Sequence, residues 1–113
     1  MKPDCKLDYL EMQAGAGTID RVKAFYSSAF GWTFTDYGPS YAAFEEGLDG
    51  GFDGAASREA GPLPVIYADN LEAALDAVED AGGRIVRPIF SFPGGRRFHF
   101  TDPAGNELAV WSE

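Results

Sequence analysis

The stretch FTDPAGNELAV, residues 100–110, holds the reading on which the fold turns. Asp102, Pro103, Ala104 and Gly105 suit a type I turn, with Asp at its first position, Pro at its second and Gly at its fourth. The residues on either side alternate in polarity, so the turn joins two strands, Arg97–Thr101 and Glu107–Ser112. On the first, Arg97, His99 and Thr101 share one face, and Phe98 and Phe100 the other. On the second, Glu107, Ala109 and Trp111 face one way, and Leu108 and Val110 the other.

Working back from this hairpin, Arg84–Phe90 reads as another strand. It is preceded by Gly82-Gly83 and by a helix with the apolar stripe Leu71, Ala74, Leu75 and Val78. Asp69, with Glu72 three residues on, forms a capping box for that helix, and Leu63–Ala68 reads as the strand before it. The same order stands earlier in the chain. Residues 7–13 are a strand, and Thr18 caps a helix with the stripe Ile19, Val22, Phe25, Tyr26, Ala29 and Phe30. Gly31 stops that helix, and β-rich pieces follow at Trp32–Tyr37, Tyr41–Glu45 and around Gly51–Gly54. The halves superpose at an offset of 52 residues: Gly31 falls on Gly83, Ile19 on Leu71, Val22 on Ala74 and Phe34 on Val86. Two tandem βαβββ modules are therefore expected, one over about 5–55 and one over about 62–113, joined through the Gly-rich stretch 47–61. An α+β sandwich with accidental symmetry is the plainer alternative.

Composition narrows the classes. A chain of 113 residues, 45% hydrophobic and 14% aromatic, builds one domain with a real core. Eighteen acidic against nine basic residues give a net charge of −9, which repels a phosphate backbone, so no nucleic-acid partner is expected. Cys5 is the lone cysteine, so there is no internal disulfide. No apolar run approaches the roughly 18 residues of a membrane span, which leaves a cytoplasmic protein without a membrane partner as the expectation.

Three stretches carry a family resemblance: VKAFYSSAFGW (22–32), the helix and Gly-Gly exit over 69–83, and FTDPAGNELAV (100–110). Together they resemble the vicinal-oxygen-chelate superfamily, the glyoxalase, bleomycin-resistance and dioxygenase type. The resemblance implies a cup-shaped, eight-stranded mixed half-barrel that binds a small molecule, in a homodimer. It also implies a divalent ion held by His, Gln or Glu on the first and fourth strands of each module. Aligned on Phe25, the first-strand position is Glu11 and its repeat mate is Leu63. Counted from Asp102, the last-strand position is Ala109, and the remaining one lies near Phe52, with Asp53 the coordinating residue if the register slips. Leu63 and Ala109 have no electron pair to donate, and a catalytic ion needs about three protein ligands. No metal and no other cofactor is therefore expected. Two further lookalikes fail on their own residues. A calcium-loop echo from Asp49 has Gly51 at its third position and Ala60 at its twelfth. A dinucleotide-loop echo, with Gly15, Gly17 and Asp36, has Asp20 where its third glycine belongs.

If Glu11 points into the cup, Tyr9 and Gln13 do too, while Leu10 and Met12 face the helices. Glu11 is then a general base or a cation partner, or else a remnant paired with Arg97 or His99. His99 would move a proton or, with Arg97, hold an anionic group. Tyr67 and Trp111 would stack on a flat ligand or pack in the wall. The expected function is metal-free binding of a small organic molecule by Tyr9, Gln13, Tyr67, Arg97 and Trp111. The alternative is a metal-dependent or acid–base enzyme using Glu11 and His99. An interaction protein with a vestigial cup is the third reading.

Overall fold

The chain carries out one backbone plan twice. The computed structural model describes residues 2–15, 17–54 and 61–113. The plan begins with β1 (Lys6–Gln13), α1 (Ile19–Phe30), β2 (Thr35–Asp36), β3 (Tyr41–Glu46) and β4 (Leu48–Asp53). It then repeats as β5 (Leu63–Tyr67), α2 (Leu71–Asp80), β6 (Arg84–Phe92), β7 (Gly95–Thr101) and β8 (Glu107–Ser112). In each pass the first strand pairs parallel with the fourth, and the remaining neighbours pair antiparallel, in the orders β1-β4-β3-β2 and β5-β8-β7-β6. The α+β class and the two βαβββ modules are as the repeat implied. The chain forms two compact units, Tyr9–Leu63 and Pro64–Glu113 with the residues up to Asp8.

In the Tyr9–Leu63 unit the core is Ile19, Ala42, Phe44 and Phe52, with Met12, Val22, Tyr26, Trp32 and Phe34 packed against it. Tyr26 stacks on Trp32 at 4.7 Å between ring centroids. Three expectations change here, the first being the cap: Thr18 stands at the N-cap position, but its hydroxyl donates to the Gly15 carbonyl at 3.1 Å and caps no helix N–H. Phe25 and Phe30 belong to the exposed surface of α1, at 58% and 67% exposure. At about 100° per residue Phe25 lies some 240° round from Ile19, so the buried line is Ile19, Val22 and Tyr26. Of the strand expected over Trp32–Tyr37, only Thr35–Asp36 pairs. Trp32 and Phe34 hold that segment by packing their rings into the core rather than by ladder hydrogen bonds. Gly31 ends α1 in the left-handed region at φ 74°, as expected.

In the other unit Ala68, Leu71, Phe98 and Val110 form the core, with Ile66, Ala74, Leu75 and Phe100 against them. Burying a residue such as Phe98 or Leu71 contributes about 1.5–3 kcal/mol each. The cap of α2 is Asn70, one residue later than expected: its side chain accepts from the Ala73 N–H at 3.0 Å. The Asp69–Glu72 box does not form, because Glu72 pairs with Arg96 and the Asp69 N–H donates to Asp4. The helix stops at Gly82-Gly83 as expected, with Gly82 in the left-handed region at φ 98°. The 102–105 turn is as expected, with the Gly105 N–H donating to the Asp102 carbonyl at 2.9 Å. The Asp102 carboxylate accepts from the Ala104 and Asn106 N–H groups. Of the Gly-rich connection 47–61, residues 48–53 are β4, and 55–60, with Ala60 of the calcium-loop echo, lie outside the described residues.

Candidate functional site

Strand alternation sets the polar face of each unit. In the Tyr9–Leu63 unit Met12 packs against the α1 core, so Tyr9, Glu11 and Gln13 occupy the opposite face of β1. Glu11 is only 4% exposed. The Tyr41 hydroxyl donates to Glu11 Oε1 at 3.4 Å and shares a 2.7 Å hydrogen bond with the Tyr9 hydroxyl. Burial raises the pKa of both phenols, Tyr41 the more strongly, so they remain protonated donors at neutral pH. Gly51, the register partner of Glu11, makes room for them. A β-carbon there would lie 2.5 Å from the Tyr41 oxygen and 2.6 Å from the Tyr9 oxygen. The Gln13 Nε2 is buried without a hydrogen-bond partner among the described residues.

In the Pro64–Glu113 unit the register aligns Arg87 with His99 and His99 with Ala109, then Phe90 with Arg97 and Arg97 with Trp111. His99 is 2% exposed, and its Nδ1 lies 2.9 Å from Glu107 Oε2. Burial lowers the His99 pKa; Glu107 pulls it up, while Arg97 and Arg87 push it down. The ring is therefore neutral at neutral pH. With the Glu107 carboxyl oxygen accepting from Nδ1–H, the lone pair is on Nε2, which is buried and has no hydrogen-bond partner among the described residues. The Arg87 guanidinium lies 3.7 Å from the Phe90 ring centroid, and that of Arg97 lies 5.5 Å from Phe90 and 5.7 Å from Phe92. Tyr67 and Trp111 meet edge to face at 5.2 Å, and the Trp111 Nε1–H donates to Asp8 at 3.0 Å. Trp111 is thus anchored by wall packing and a hydrogen bond.

The structure brings Tyr9 together with Glu11, and gathers Arg97, His99, Tyr67 and Trp111 on one face of the other unit. Sequence reasoning missed Tyr41, which reaches Glu11 from β3, and the role of Glu107 as partner of His99. Sheet register also locates the uncertain fourth-strand position. Ala109 pairs with Val65, two residues after Leu63, and Asp53 pairs with Gln13, two residues after Glu11. Asp53 is therefore the repeat mate of Ala109. The positions at which the resemblance places metal ligands are then Glu11, Asp53, Leu63 and Ala109: two carboxylates and two hydrocarbons. Among the described residues no group of three or more His, Cys, Asp or Glu is placed to hold an ion. The residues present do not fit the family's divalent ion.

A repeated βαβββ plan with a polar face on each unit defines a two-module α+β fold. The model of the Glyoxalase/Bleomycin resistance protein/Dioxygenase superfamily matches residues 6–110, and the chain belongs to that family. It is 28% identical over 109 positions to the "Putative glyoxylase CFP32" of Mycobacterium bovis, covering 80% of this chain and 40% of the relative. The chain thus spans less than half the length of the curated relatives it matches. A member of the superfamily from Vibrio splendidus aligns over 93% of this chain and 97% of its own, with a TM-score of 0.70 at 13% identity. The Mn(II)-bound glyoxalase from Novosphingobium aromaticivorans aligns over 99% of this chain and 40% of its own, with a TM-score of 0.65 at 22% identity. These structures share the fold. Among the described residues no helix is long and apolar enough to cross a membrane.

Proposed function

We propose that this chain binds a small organic molecule without a metal ion or other cofactor. The observation that carries the reading is the donor set: Leu63 and Ala109, both fully buried, stand where the family places ligands, and neither can coordinate. Binding is supported by polar groups kept at cost inside the fold. Glu11 lies behind Tyr41 and Tyr9, and His99 carries a buried lone pair. Tyr9, Glu11 and Gln13 form the polar group proposed for ligand contact on one unit, and Tyr67, Arg97, His99 and Trp111 the one on the other. Elemental analysis after mild purification tests the reading. No stoichiometric transition metal is expected, and one Zn, Ni, Mn or Fe held tightly per chain overturns it.

One observation favours a second reading, an acid–base enzyme. A neutral imidazole oriented through Nδ1 by a carboxylate, with its lone pair on Nε2, has the arrangement of a general base. His99 would then take a proton from the ligand. Turnover of a bound ligand that is lost in His99→Gln, with binding retained, separates this reading from simple binding.

A further inference from the structure

The β6–β7 hairpin is chemically unlike the rest of the chain. Residues 84–101 hold Arg84, Arg87, Arg96, Arg97 and His99 and no Asp or Glu, in a protein of net charge −9. Four of its nine Lys and Arg residues are thus concentrated on two adjacent strands, which makes a local positive field in an acidic molecule. Arg96 is engaged with Glu72. Among the described residues no carboxylate is paired with Arg87.

Arg87 is not loose, however. Its guanidinium lies 3.7 Å from the Phe90 ring centroid, a cation–π contact that fixes the plane of the group and leaves its N–H edge for a planar anion. Arg87 and His99 are register partners across β6 and β7. The register is irregular on both sides of Arg87, and the two side chains meet at the Phe90 ring, with the Arg87 guanidinium 3.7 Å and the His99 ring 5.8 Å from its centroid. The neighbour of Arg87 is therefore the imidazole whose Nε2 is buried and, among the described residues, without a donor. Glu107 occupies Nδ1, so Nε2 can accept a hydrogen bond but cannot give one. Folded proteins keep a buried, unanswered polar atom chiefly where a held water, a ligand or a reaction answers it.

We infer that Arg87 and His99 form a recognition pair for a small organic acid, which sets its anionic group against Arg87 and donates a hydroxyl or N–H of the same molecule to Nε2 of His99. This rests on the small-molecule-binding reading above and adds the chemical class of the ligand. An anion without a donor satisfies only Arg87, a neutral donor satisfies only His99, and a cation meets Arg87 and Arg97 with like charge.

Four probes separate these cases: 3-hydroxybenzoate, with both groups; benzoate, with the anion alone; phenol, with the donor alone; and benzylammonium, a cation. Binding is followed by tryptophan fluorescence and by the nitrogen resonances of His99. In the wild type the hydroxybenzoate is expected to bind about tenfold more tightly than benzoate, the size of one hydrogen bond, and at least as much more tightly than phenol, which lacks the anionic group. It should also shift the Nε2 resonance, which benzoate leaves in place. Arg87→Gln, at an exposed position, should weaken both acids about tenfold and leave phenol unchanged. His99→Gln should erase the preference for the hydroxyl. The Arg87→Gln comparison and the wild-type resonance stand even if the buried His99 variant does not fold. No binding of any probe at millimolar concentration, or acid binding indifferent to Arg87, overturns the inference. Tightest binding of benzylammonium, lost in Glu11→Gln and kept in Arg87→Gln, overturns the organic-acid assignment while leaving metal-free binding intact. A stoichiometric metal in the purified protein removes that underlying reading instead.

Discussion

Replacing Gly51 by alanine adds a single methyl group, and the structure shows where it goes. Gly51 lies outside the left-handed region, so the backbone accepts alanine and the whole effect is one of space. The new carbon would lie 2.5 Å from Cε1 and the oxygen of Tyr41, and 2.6 Å from the Tyr9 oxygen, far inside van der Waals contact. Both rings must swing away, which breaks the 2.7 Å phenol–phenol bond and the bond from Tyr41 to Glu11. Overpacking of this kind costs about 1–3 kcal/mol. Each hydrogen bond contributes about 1 kcal/mol, part of which water restores because both tyrosines are half-buried. The expected loss is about 1–3 kcal/mol, enough to lower the urea midpoint clearly while leaving a chain of this size folded. A double-mutant cycle assigns the cause: in a Tyr41→Ala background the same alanine should cost less than half as much. If Gly51→Ala costs nothing, or costs the same in both backgrounds, the phenols do not occupy that space and the account of the Glu11 site fails.

Two other expectations concern the whole chain. Burial holds the His99 pKa below its ordinary value, so the unfolded chain binds the proton more readily; stability is full above about pH 6.5 and falls as the pH drops below it. Glu107 opposes this shift, and Arg97 and Arg87 reinforce it. As His99 is the only histidine, the urea midpoint should decline between about pH 7 and pH 5 in the wild type and less so in His99→Gln, and equal declines would refute the assignment. The exposed Phe25 and Phe30 on α1, with Leu7, Leu48 and Val86 elsewhere, leave apolar surface that a second copy would cover. The protein is therefore expected as a homodimer. Light scattering at micromolar concentration should give twice the 12.2 kDa of one chain, and a monomer mass removes the expectation.

What was legible in the sequence was whatever depends on local chemistry and short periods. The Asp-Pro-Ala-Gly turn, the left-handed Gly31 and the alternation that sends Phe98, Phe100 and Val110 to the α2 core each follow from a few neighbouring residues. The errors came where two local signals competed. Asp69 and Asn70 are both good caps, and the extended backbone at Asn70, φ −121°, decides between them. Phe25 is apolar, but the helix turns it away from Ile19; Phe30 is on the Ile19 side but stands at the helix end, where its ring meets Tyr26 and Trp32 and stays exposed. Tyr41 was out of reach because its place beside Glu11 depends on the registers of β3 on β4 and of β4 on β1, which no short pattern encodes. Glu107 was within reach. A turn over 102–105 sets Thr101 opposite Glu107, and that makes His99 and Glu107 diagonal neighbours on one face.

The repeat also shows how one backbone came to hold two chemistries. At equivalent places on the first and fourth strands the first module keeps Glu11 and Asp53, and the second has Leu63 and Ala109. A carboxylate buried to the extent of Glu11 requires donors or a cation. Gly51 is the residue that lets donors in, since any side chain there would exclude the Tyr41 and Tyr9 hydroxyls. On the second module the hydrocarbon pair needs no such support, and the polar burden passes to the neighbouring strands as His99 held by Glu107. On the metal-free reading, the first module sets phenol donors beside an acid, and the second sets an oriented imidazole beside a row of arginines. The two groups have opposite sign. A ligand held on the Glu11 side must carry a donor or positive group, whereas one held on the Arg87 side need only be an acid with a hydroxyl. The probe series distinguishes these cases, because dependence on Glu11 and dependence on Arg87 are read in separate variants.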